Sequence, residues 1–276
     1  MLHQLAPCLW RFEPPNPASL RLAVVAGLHG DEKGPVQLIQ ELSSATHEIW
    51  KNCRAEVTLV LGNPGAIDCG QRSIPGGSDF NRSFGESPPD LDSEAHRIEA
   101  IKKNLTGMEI VLDLHQTHLA IDPCAVCPDT PEHLHLARQL GAHQAVTGAT
   151  TAFLGGMLID WANRQGALAL TLETGQVGDP RSRKAASAAV EALISGQSTP
   201  RRDFSIWKLV EPLKAPGEDY RWSQDWQNGS RISPGTVVAT SSSGTLCATV
   251  DGALFLPKLG VEPGDVCALQ AELKRP

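Results

Sequence analysis

Histidine and glutamate side chains follow three separate apolar runs of the sequence. His29, His115 and Glu173 each stand at the end of such a run, and Glu32 follows His29 by three residues. Two histidines and one glutamate around an open fourth position are the zinc ligands of many hydrolases, where the metal polarises a carbonyl and lowers the pKa of a bound water. A single histidine after a strand is more often a surface or core residue, but together these residues predict a hydrolytic zinc centre.

The segment 63–84, NPGAIDCGQRSIPGGSDFNRSF, is rich in Gly, Pro, Asn and Ser, and this composition predicts a long loop. A loop of such length inside a compact domain is usually functional or disordered. It carries Arg72, Asn81 and Arg82, whose planar donor groups suit a substrate carboxylate or a developing oxyanion. The alternative is that these loop side chains are simply solvated.

Asp113 lies two residues before His115, so the two side chains should point to the same face of a strand. A carboxylate in this position can orient a ligand imidazole by accepting a hydrogen bond from its second ring nitrogen. The other interpretation is that Asp113 caps a loop, and the spacing alone favours neither.

The seven cysteines are an odd number without the spacing of a disulfide framework, which indicates mostly free and buried thiols. Cys124 and Cys127 form a C-x-x-C pattern that could be a redox pair or half of a metal site. A second pair, or a helix starting directly after a strand, would support either role, and the sequence shows neither.

Composition places the chain among globular proteins, since 41% of its 276 residues are hydrophobic and 20% are charged. It has 24 Lys and Arg residues and 31 Asp and Glu residues, which gives a formal charge of -7. It therefore lacks a broad basic surface that would attract nucleic acid or anionic lipid. We find neither a secretion signal nor an apolar run long enough for a membrane span. We therefore expect a cytoplasmic protein without nucleic-acid or membrane partners.

Short apolar runs alternate with helix-like stretches up to about residue 196, which predicts an α/β fold with a mostly parallel sheet and helices on both faces. The predicted strands are 22–28, 57–61, 110–114 and 167–172, and the predicted helices are 36–42, 93–105, 131–140 and 181–194. Ligands of open α/β sheets bind at the carboxyl ends of the strands. The predicted metal ligands and Glu173 should therefore meet at one edge of the sheet.

A polar segment with Gly and Pro, SGQSTPRRD at residues 195–203, predicts a linker. Beyond it, short apolar runs at 236–239, 245–250 and 253–256 are separated by turn-forming pairs such as Asn228-Gly229 and Asp251-Gly252. We therefore predict two domains, a catalytic α/β domain at residues 1–196 and a small β domain at residues 204–276.

Several motifs follow one another in a recognisable order: H-G-D-E, then N-P-x-A, an arginine and D-F-N-R-x-F, then D-L-H-x-T, and finally T-L-E-T-G. This order, from Val24 to about Gly175, resembles the succinylglutamate desuccinylase and aspartoacylase family, relatives of the zinc carboxypeptidases. The later stretch GALFLPKLGVEPGD is similar to the end of succinylglutamate desuccinylases. The resemblance implies a carboxypeptidase-like fold.

The resemblance also implies a role for each candidate residue. One zinc ion per chain would be held by His29, Glu32 and His115, Glu173 would act as general base, Arg72 would polarise the scissile carbonyl, and Asn81 and Arg82 would hold the substrate carboxylate. The implied reaction is hydrolysis of the amide bond of a small anionic N-acyl amino acid. N-succinylglutamate is the favoured substrate, and the products are a carboxylic acid and an amino acid.

The sequence departs from the family pattern at two points. Phe80 stands where Leu or Met is usual, and the only tyrosine is Tyr220, whereas aspartoacylases use a tyrosine and an arginine before the strand that carries the base. Arg164 is a candidate substrate contact or an ordinary exposed arginine. The alternative functions are a zinc carboxypeptidase that acts on short peptides and a non-catalytic, carboxylate-binding relative.

Overall fold

The computed structural model describes residues 1–16, 18, 20–85, 89, 91–152, 155–197, 203–258 and 263–274. The described α-helices are α1 (Lys33–Leu42), α2 (Pro64–Cys69), α3 (Asp92–Leu105), α4 (Pro131–Gln139), α5 (Ala149–Ala152), α6 (Leu158–Arg164) and α7 (Pro180–Ser195). Short 3₁₀ turns cover Glu48–Lys51 and Phe80–Arg82. The strands are β1 (Leu2–Ala6), β2 (Leu9–Phe12), β3 (Arg21–Ala26), β4 (Glu56–Leu61), β5 (Ile110–Thr117), β6 (Cys124–Cys127), β7 (Gln144–Thr147), β8 (Leu168–Gln176), β9 (Ser205–Lys214), β10 (Arg221–Trp222), β11 (Ser230–Ile232), β12 (Val237–Ser241), β13 (Gly244–Cys247), β14 (Gly252–Phe255) and β15 (Val266–Leu273).

One large sheet runs through the molecule in the order β1-β2-β4-β3-β5-β8-β6-β7-β9-β15-β14-β11. Its central strands β4, β3, β5 and β8 are parallel neighbours, as the alternating pattern predicted. The pairs β6–β7 and β7–β9 are parallel as well, whereas β1, β2, β6, β15, β14 and β11 add antiparallel pairs, so the sheet as a whole is mixed. A short turn such as the one between β1 and β2 can only return the chain antiparallel. The fold is therefore mixed α/β.

Alternate side chains of the central strands face two helical layers. Leu22 and Val24 of β3 belong to one buried cluster together with residues of α1, α4 and α7. Ala23 and Val25 belong to a second cluster together with residues of α3 and α6. Helices therefore cover both faces of the central sheet, as predicted. None of the described helices is long and apolar enough to cross a membrane.

The strands and helices predicted up to residue 196 correspond to β3, β4, β5, β8, α1, α3, α4 and α7, with small shifts at their ends. Two shifts matter for chemistry, because β5 continues to Thr117 and β8 continues to Gln176. His115 and Glu173 therefore lie within paired strands, directly opposite each other, and not after the strand ends. The ladder between β5 and β8 extends past the apolar run, which periodicity alone does not reveal.

The segment 63–84 contains a helix where a long loop was predicted. The side chain of Asn63 accepts a hydrogen bond from the Ala66 N–H, and Pro64 occupies the first turn of α2. Gly70 ends the helix in a left-handed conformation with φ of 63°. Each of these residues is favoured at its position for a known reason, a polar N-cap, a fixed φ and a C-terminal glycine.

The strands after residue 203 continue the central sheet. β9 pairs with β7 in parallel, and β15, β14 and β11 follow as antiparallel neighbours. β10, β12 and β13 form a separate small sheet. The predicted linker 195–203 begins at the end of α7, and its residues 198–202 lie outside the described residues.

A third buried cluster belongs to this C-terminal unit, the described residues 203–258 and 263–274. It includes Leu213, Tyr220, Trp226, Val238 and Leu254. The unit therefore has a hydrophobic core of its own while it shares the large sheet with the preceding residues. The division into domains 1–196 and 204–276 stays a prediction.

Candidate active site

Three buried side chains meet at the carboxyl end of the central strands. The ligand atoms offered by His29, Glu32 and His115 all lie within 4.8 Å of one another. The Nδ1 atom of His29 is 2.8 Å from Oε1 of Glu32, and Nδ1 of His115 is 3.0 Å from Oε2 of the same carboxylate. Both imidazoles therefore present the same ring nitrogen to one carboxylate, and the group could hold a metal ion.

The turn that carries His29 and Glu32 packs directly on helix α2. β3 ends before Gly27, whose φ of 68° turns the chain in a conformation that favours glycine. A Cβ atom at Gly30 would lie 2.0 Å from the carbonyl of Ala66, so only glycine allows this approach. Glu32 then occupies the N-cap position of α1, where its side chain faces the end of β5.

The second ring nitrogen of each imidazole contacts a further carboxylate. Nε2 of His115 is 3.0 Å from Oδ2 of Asp113, and Nε2 of His29 is 3.0 Å from Oδ1 of Asp79. Such partners fix the tautomer and the orientation of a ligand imidazole. Asp113 therefore contacts the histidine and does not cap a loop, whereas Asp79 has a role that sequence reasoning missed. The sequence feature that could have indicated this role is that Asp79 is the first residue of the D-F-N-R motif.

The charges of this group hold one another in the ionised form. Burial alone would raise the pKa of Glu32, but His115 and His29 outweigh it, so the pKa lies far below its usual value. Burial also opposes protonation of His115, yet Asp113 and Glu32 raise its pKa well above the usual value. Burial would raise the pKa of Asp79, but His29 and Arg72 hold it well below its usual value. Three carboxylates around two imidazoles carry a surplus of negative charge that suits a divalent cation.

Glu173 faces this group from the neighbouring strand. It pairs in register with His115, and its Oε2 atom is buried without a hydrogen-bond partner among the described residues. Burial raises the pKa of Glu173 to about 7, and the charge of Glu32 adds to the rise. A carboxylate with a pKa near neutrality is suited to accept and return a proton at physiological pH.

Both predicted arginines interact with Asp79, the carboxylate that contacts His29. Nη2 of Arg72 donates to Oδ2 of Asp79 at 2.7 Å, so Arg72 reaches the group through the carboxylate that also holds His29. Nη1 of Arg82 donates to the backbone carbonyl of its neighbour Asn81 at 2.7 Å. The charge of Arg82 interacts with those of Asp79 and Glu173. Both arginines therefore belong to the site.

Asn81 is buried, and both polar atoms of its side chain contact other groups of the protein. Its Oδ1 atom accepts the backbone N–H of Leu158 at 2.9 Å, and its Nδ2 atom lies 3.4 Å from Nε2 of His115. One N–H of its amide is thus close to the candidate metal group, while its carbonyl holds the first turn of α6. Arg164 is exposed on α6 and donates to the carbonyl of Gly155, so it is an ordinary surface arginine in this structure.

A comparison with known families identifies the chain's relatives. Residues 18–195 match the model described as "Succinylglutamate desuccinylase/Aspartoacylase catalytic domain". The chain belongs to this family. The succinylglutamate desuccinylase of Serratia proteamaculans is 28% identical over 256 residues, which cover 81% of this chain and 76% of that protein. The one from Burkholderia pseudomallei is 31% identical over 216 residues, which cover 68% of this chain and 60% of that protein.

A solved structure supports the fold. The succinylglutamate desuccinylase from Vibrio cholerae superimposes with a TM-score of 0.78 at 21% identity, over 95% of this chain and 84% of that chain. The family to which the chain belongs is named after enzymes that remove acyl groups, so the chain is of the deacylase type within the hydrolases.

The two cysteines of the C-x-x-C pattern lie apart, although Cys124 on β6 pairs in register with Glu173 on β8. Cys124 and Cys127 belong to different core clusters on opposite faces of β6, as expected for strand residues three positions apart. Burial raises the pKa of both thiols. All seven cysteines are free, and the opposite directions of Cys124 and Cys127 do not suit a redox pair or two ligands of one metal ion.

Proposed function

We propose that this chain is a zinc-dependent deacylase that hydrolyses the amide bond of an N-acyl amino acid and releases a carboxylic acid and the free amino acid. The observation that carries this proposal is the placement of Glu173 opposite His115, beside the group of His29, Glu32 and His115. A metal-ligand group and an unpartnered carboxylate of raised pKa on neighbouring strands are the two parts that such a reaction needs.

The side chains present fit a zinc ion. Two imidazole nitrogens and a carboxylate are the ligand set of hydrolytic zinc sites. Asp113 and Asp79 hold the far nitrogens of the two imidazoles, so His115 and His29 would keep their orientation when Nδ1 binds the ion. A bound zinc would supply Lewis acidity toward the scissile carbonyl and toward water.

Glu173 is the residue that we assign to proton transfer. It would take a proton from the attacking water and later give it to the amine that leaves. Its pKa of about 7 suits both steps, because the carboxylate must accept the proton and release it within one turnover. The unpartnered Oε2 atom has no competing hydrogen bond within the described part of the chain.

We assign substrate binding to the arginine side of the site. Arg82 would hold the substrate α-carboxylate, and Asn81 would support it with the amide N–H that lies near His115. Arg72 would face the scissile carbonyl while Asp79 fixes its guanidinium at 2.7 Å. The names of the two succinylglutamate desuccinylases described above make N-succinylglutamate the favoured substrate.

Metal analysis of the purified protein, combined with hydrolysis rates on a substrate panel, tests the proposal. We expect one zinc ion per chain and faster hydrolysis of N-succinylglutamate than of N-acetylglutamate or short peptides. Fastest turnover on peptides would instead support the carboxypeptidase alternative. A protein that binds zinc and N-acyl amino acids without hydrolysing them would be the non-catalytic relative.

A further inference from the structure

Glu32 occupies the N-cap position of helix α1, yet its side chain does not cap the helix. The side chain of an N-cap residue commonly accepts a hydrogen bond from the backbone N–H of the second or third helical residue. Glu32 makes no such bond in the described structure. Its Oε1 atom lies 2.8 Å from Nδ1 of His29, and its Oε2 atom accepts the backbone N–H of Gln116 at 3.0 Å. Another group must therefore satisfy the first turn of α1.

The side chain of Gln116 supplies the missing cap from strand β5. Its Oε1 atom accepts the N–H of Gly34, the second residue of α1, at 3.0 Å. The third residue, Pro35, has no N–H that needs a partner. A Cβ atom at Gly34 would lie 2.8 Å from Nε2 of Gln116, so the glycine leaves room for the amide. The residue after His115 thus caps the helix that begins beside Glu32.

The other end of the same amide is held by two hydroxyl groups. Nε2 of Gln116 donates to Oγ of Ser182, in α7, at 2.7 Å. Oγ of Ser182 lies 3.0 Å from Oγ1 of Thr174, in β8. The Thr174 hydroxyl donates to the backbone carbonyl of His115 at 2.9 Å. This chain of hydrogen bonds connects α1, α7 and β8, and it returns to the strand from which it starts.

The direction of every hydrogen bond in this chain is determined. The N–H of Gly34 can only donate, and the carbonyl of His115 can only accept. Because Thr174 donates to His115, Ser182 must donate to Thr174 and accept from Gln116. The amide of Gln116 therefore has one orientation, with Oε1 toward Gly34. Gln116, Thr174 and Ser182 are all buried, and a fully satisfied buried network favours a single arrangement.

Without Gln116, the two possible tasks of Glu32 would compete. The N–H of Gly34 would lose its acceptor, and the N-cap carboxylate of Glu32 is the nearest replacement along the chain. A negative charge is also favourable at the N-terminus of a helix. Rotation of Glu32 toward its own helix would take its oxygens away from His29 and His115. The cap provided by Gln116 removes the reason for this rotation.

We propose that Gln116 is a positioning residue, which caps α1 in place of Glu32 and so keeps the Glu32 carboxylate available to a metal ion. Its side chain acts through Glu32 and contacts neither of the two histidines of the metal-ligand group. This inference rests on the proposed function, since that function gives Glu32 an ion to bind. It assigns a task to the variable position of the D-L-H-x-T motif.

Zinc affinity measured by competition with a chelator tests the proposal without a need for turnover. Gln116→Met keeps the length of the side chain but removes both polar atoms, and it should raise the Kd for zinc by about 10- to 100-fold. Gln270→Met is the matched control. Gln270 is a buried glutamine of the C-terminal unit whose Oε1 atom accepts the N–H of Thr249 and whose Nε2 atom donates to Glu211. That variant should lose stability but keep the wild-type affinity for zinc.

Two further variants change the cap in other ways. Gly34→Ala keeps Gln116 but places a methyl group against its amide, so it should also weaken zinc binding. Gln116→Glu keeps an oxygen that can accept the N–H of Gly34, and it should bind zinc more tightly than Gln116→Met. Unchanged zinc affinity in Gln116→Met, or an equal loss in Gln270→Met, would overturn the proposal. So would a Gln116→Glu protein that binds zinc no better than Gln116→Met.

Unfolding of the zinc-free protein tests the competition for the cap directly. If Glu32 can replace the lost acceptor, Gln116→Met should lower the denaturant midpoint less in the wild-type background than in a Glu32→Ala background. Gln270→Met should cause the same loss in both backgrounds. A wild-type protein that binds no zinc would refute the proposed function, while this comparison would still decide whether Gln116 and Glu32 compete. An equal or smaller loss for Gln116→Met in the Glu32→Ala background would show that they do not.

Discussion

The candidate site has a metal side, formed by His29, Glu32 and His115 with Asp79 and Asp113, and a substrate side, formed by Glu173, Arg72 and Arg82. The two sides differ in how completely their polar atoms form hydrogen bonds or ion pairs. On the metal side, every ring nitrogen of His29 and His115 lies within 3.0 Å of a carboxylate oxygen. The exceptions there are Asp113 and Asp31, whose Oδ1 atoms are buried without a described partner. On the substrate side, Oε2 of Glu173 finds no partner among the described residues. Burial lowers the pKa of Lys258, in the segment after β14, to about 8.

This difference indicates which groups still need a ligand on each side of the site. An unsatisfied buried polar group costs about 1–3 kcal/mol, so groups of this kind mark the places where a ligand completes the structure. The metal side orients its imidazoles through the protein's own carboxylates, which makes its geometry independent of the substrate. The substrate side keeps a proton acceptor, Glu173, whose Oε2 atom has no partner in the described part of the chain.

The largest effect that we expect comes from removing a ligand of the metal side. His115→Ala should abolish both metal occupancy and activity, because two of three ligands do not hold the ion. Elemental analysis and a hydrolysis assay measure the two losses. The matched control is His133→Ala, which removes another buried histidine, bonded to Thr130 and Asn163. That variant should lose stability but keep its metal, and a metal-replete His115→Ala would rule out this site.

The second-largest effect that we expect comes from a substitution on the substrate side, which should lower activity without changing metal content. Glu173→Gln preserves size but cannot accept a proton, so kcat should fall by roughly two to four powers of ten, about 3 to 5.5 kcal/mol in barrier, while metal content stays at the wild-type level. Glu32→Gln is the contrasting control, since there the loss should begin with the metal. Near-normal kcat in a metal-replete Glu173→Gln protein would refute the assignment of Glu173 to proton transfer.

A smaller effect tests whether the carboxylates that contact the Nε2 atoms of the two imidazoles contribute to metal affinity. Asp79→Asn should weaken metal binding by about 10- to 100-fold without unfolding the protein, because His29 loses the partner that fixes its ring. Competition with a chelator measures the affinity. Asp68→Asn, an exposed carboxylate in α2 of the same segment, should leave it unchanged. An unaltered affinity in Asp79→Asn would show that the metal side does not depend on its outer carboxylates.

The contrast between the two sides also explains what the sequence could predict. His29, His115 and Glu173 follow apolar runs that form neighbouring parallel strands, so the position of the runs was enough to bring them to one edge of the sheet. Glu32 was equally accessible, since it lies three residues from His29. These are relationships within or between strongly periodic elements, which periodicity detects well.

The residues that the sequence did not reveal depend on contacts over long separations. Asp79 reaches His29 across 50 positions, from a segment whose short helix and 3₁₀ turn leave little periodic signal. The charge of Lys258 interacts with those of Asp79 and Glu173 because β9 joins β7 and carries the C-terminal strands along the same sheet. Strands such as β9, with several exposed residues, lack the continuous apolar run by which the central strands were recognised.

The smallest effect that we expect is a gain in stability when Lys258 is removed. Its pKa falls from 10.5 to about 8 on folding, so between these values the unfolded chain holds a proton that the folded chain has lost. The free energy of unfolding therefore rises with pH through that window, and below about pH 8 the folded protein bears the full cost of the buried charge. A shift of about 2.5 units corresponds to a ceiling of about 3 kcal/mol at 1.36 kcal/mol per unit. Partial exposure reduces this, so Lys258→Met should be about 1–2 kcal/mol more stable than the wild type at pH 7.

Denaturant unfolding at pH 7 and pH 9.5, on zinc-loaded protein without substrate, measures this gain and its dependence on pH. The advantage of Lys258→Met should shrink at the higher pH, because the wild-type lysine is then neutral in the folded state. Lys208→Met, which removes an exposed charge, should show neither the gain nor its loss. If Lys258→Met is less stable than the wild type at pH 7, attraction of the lysine to Asp79 and Glu173 outweighs the cost of its burial.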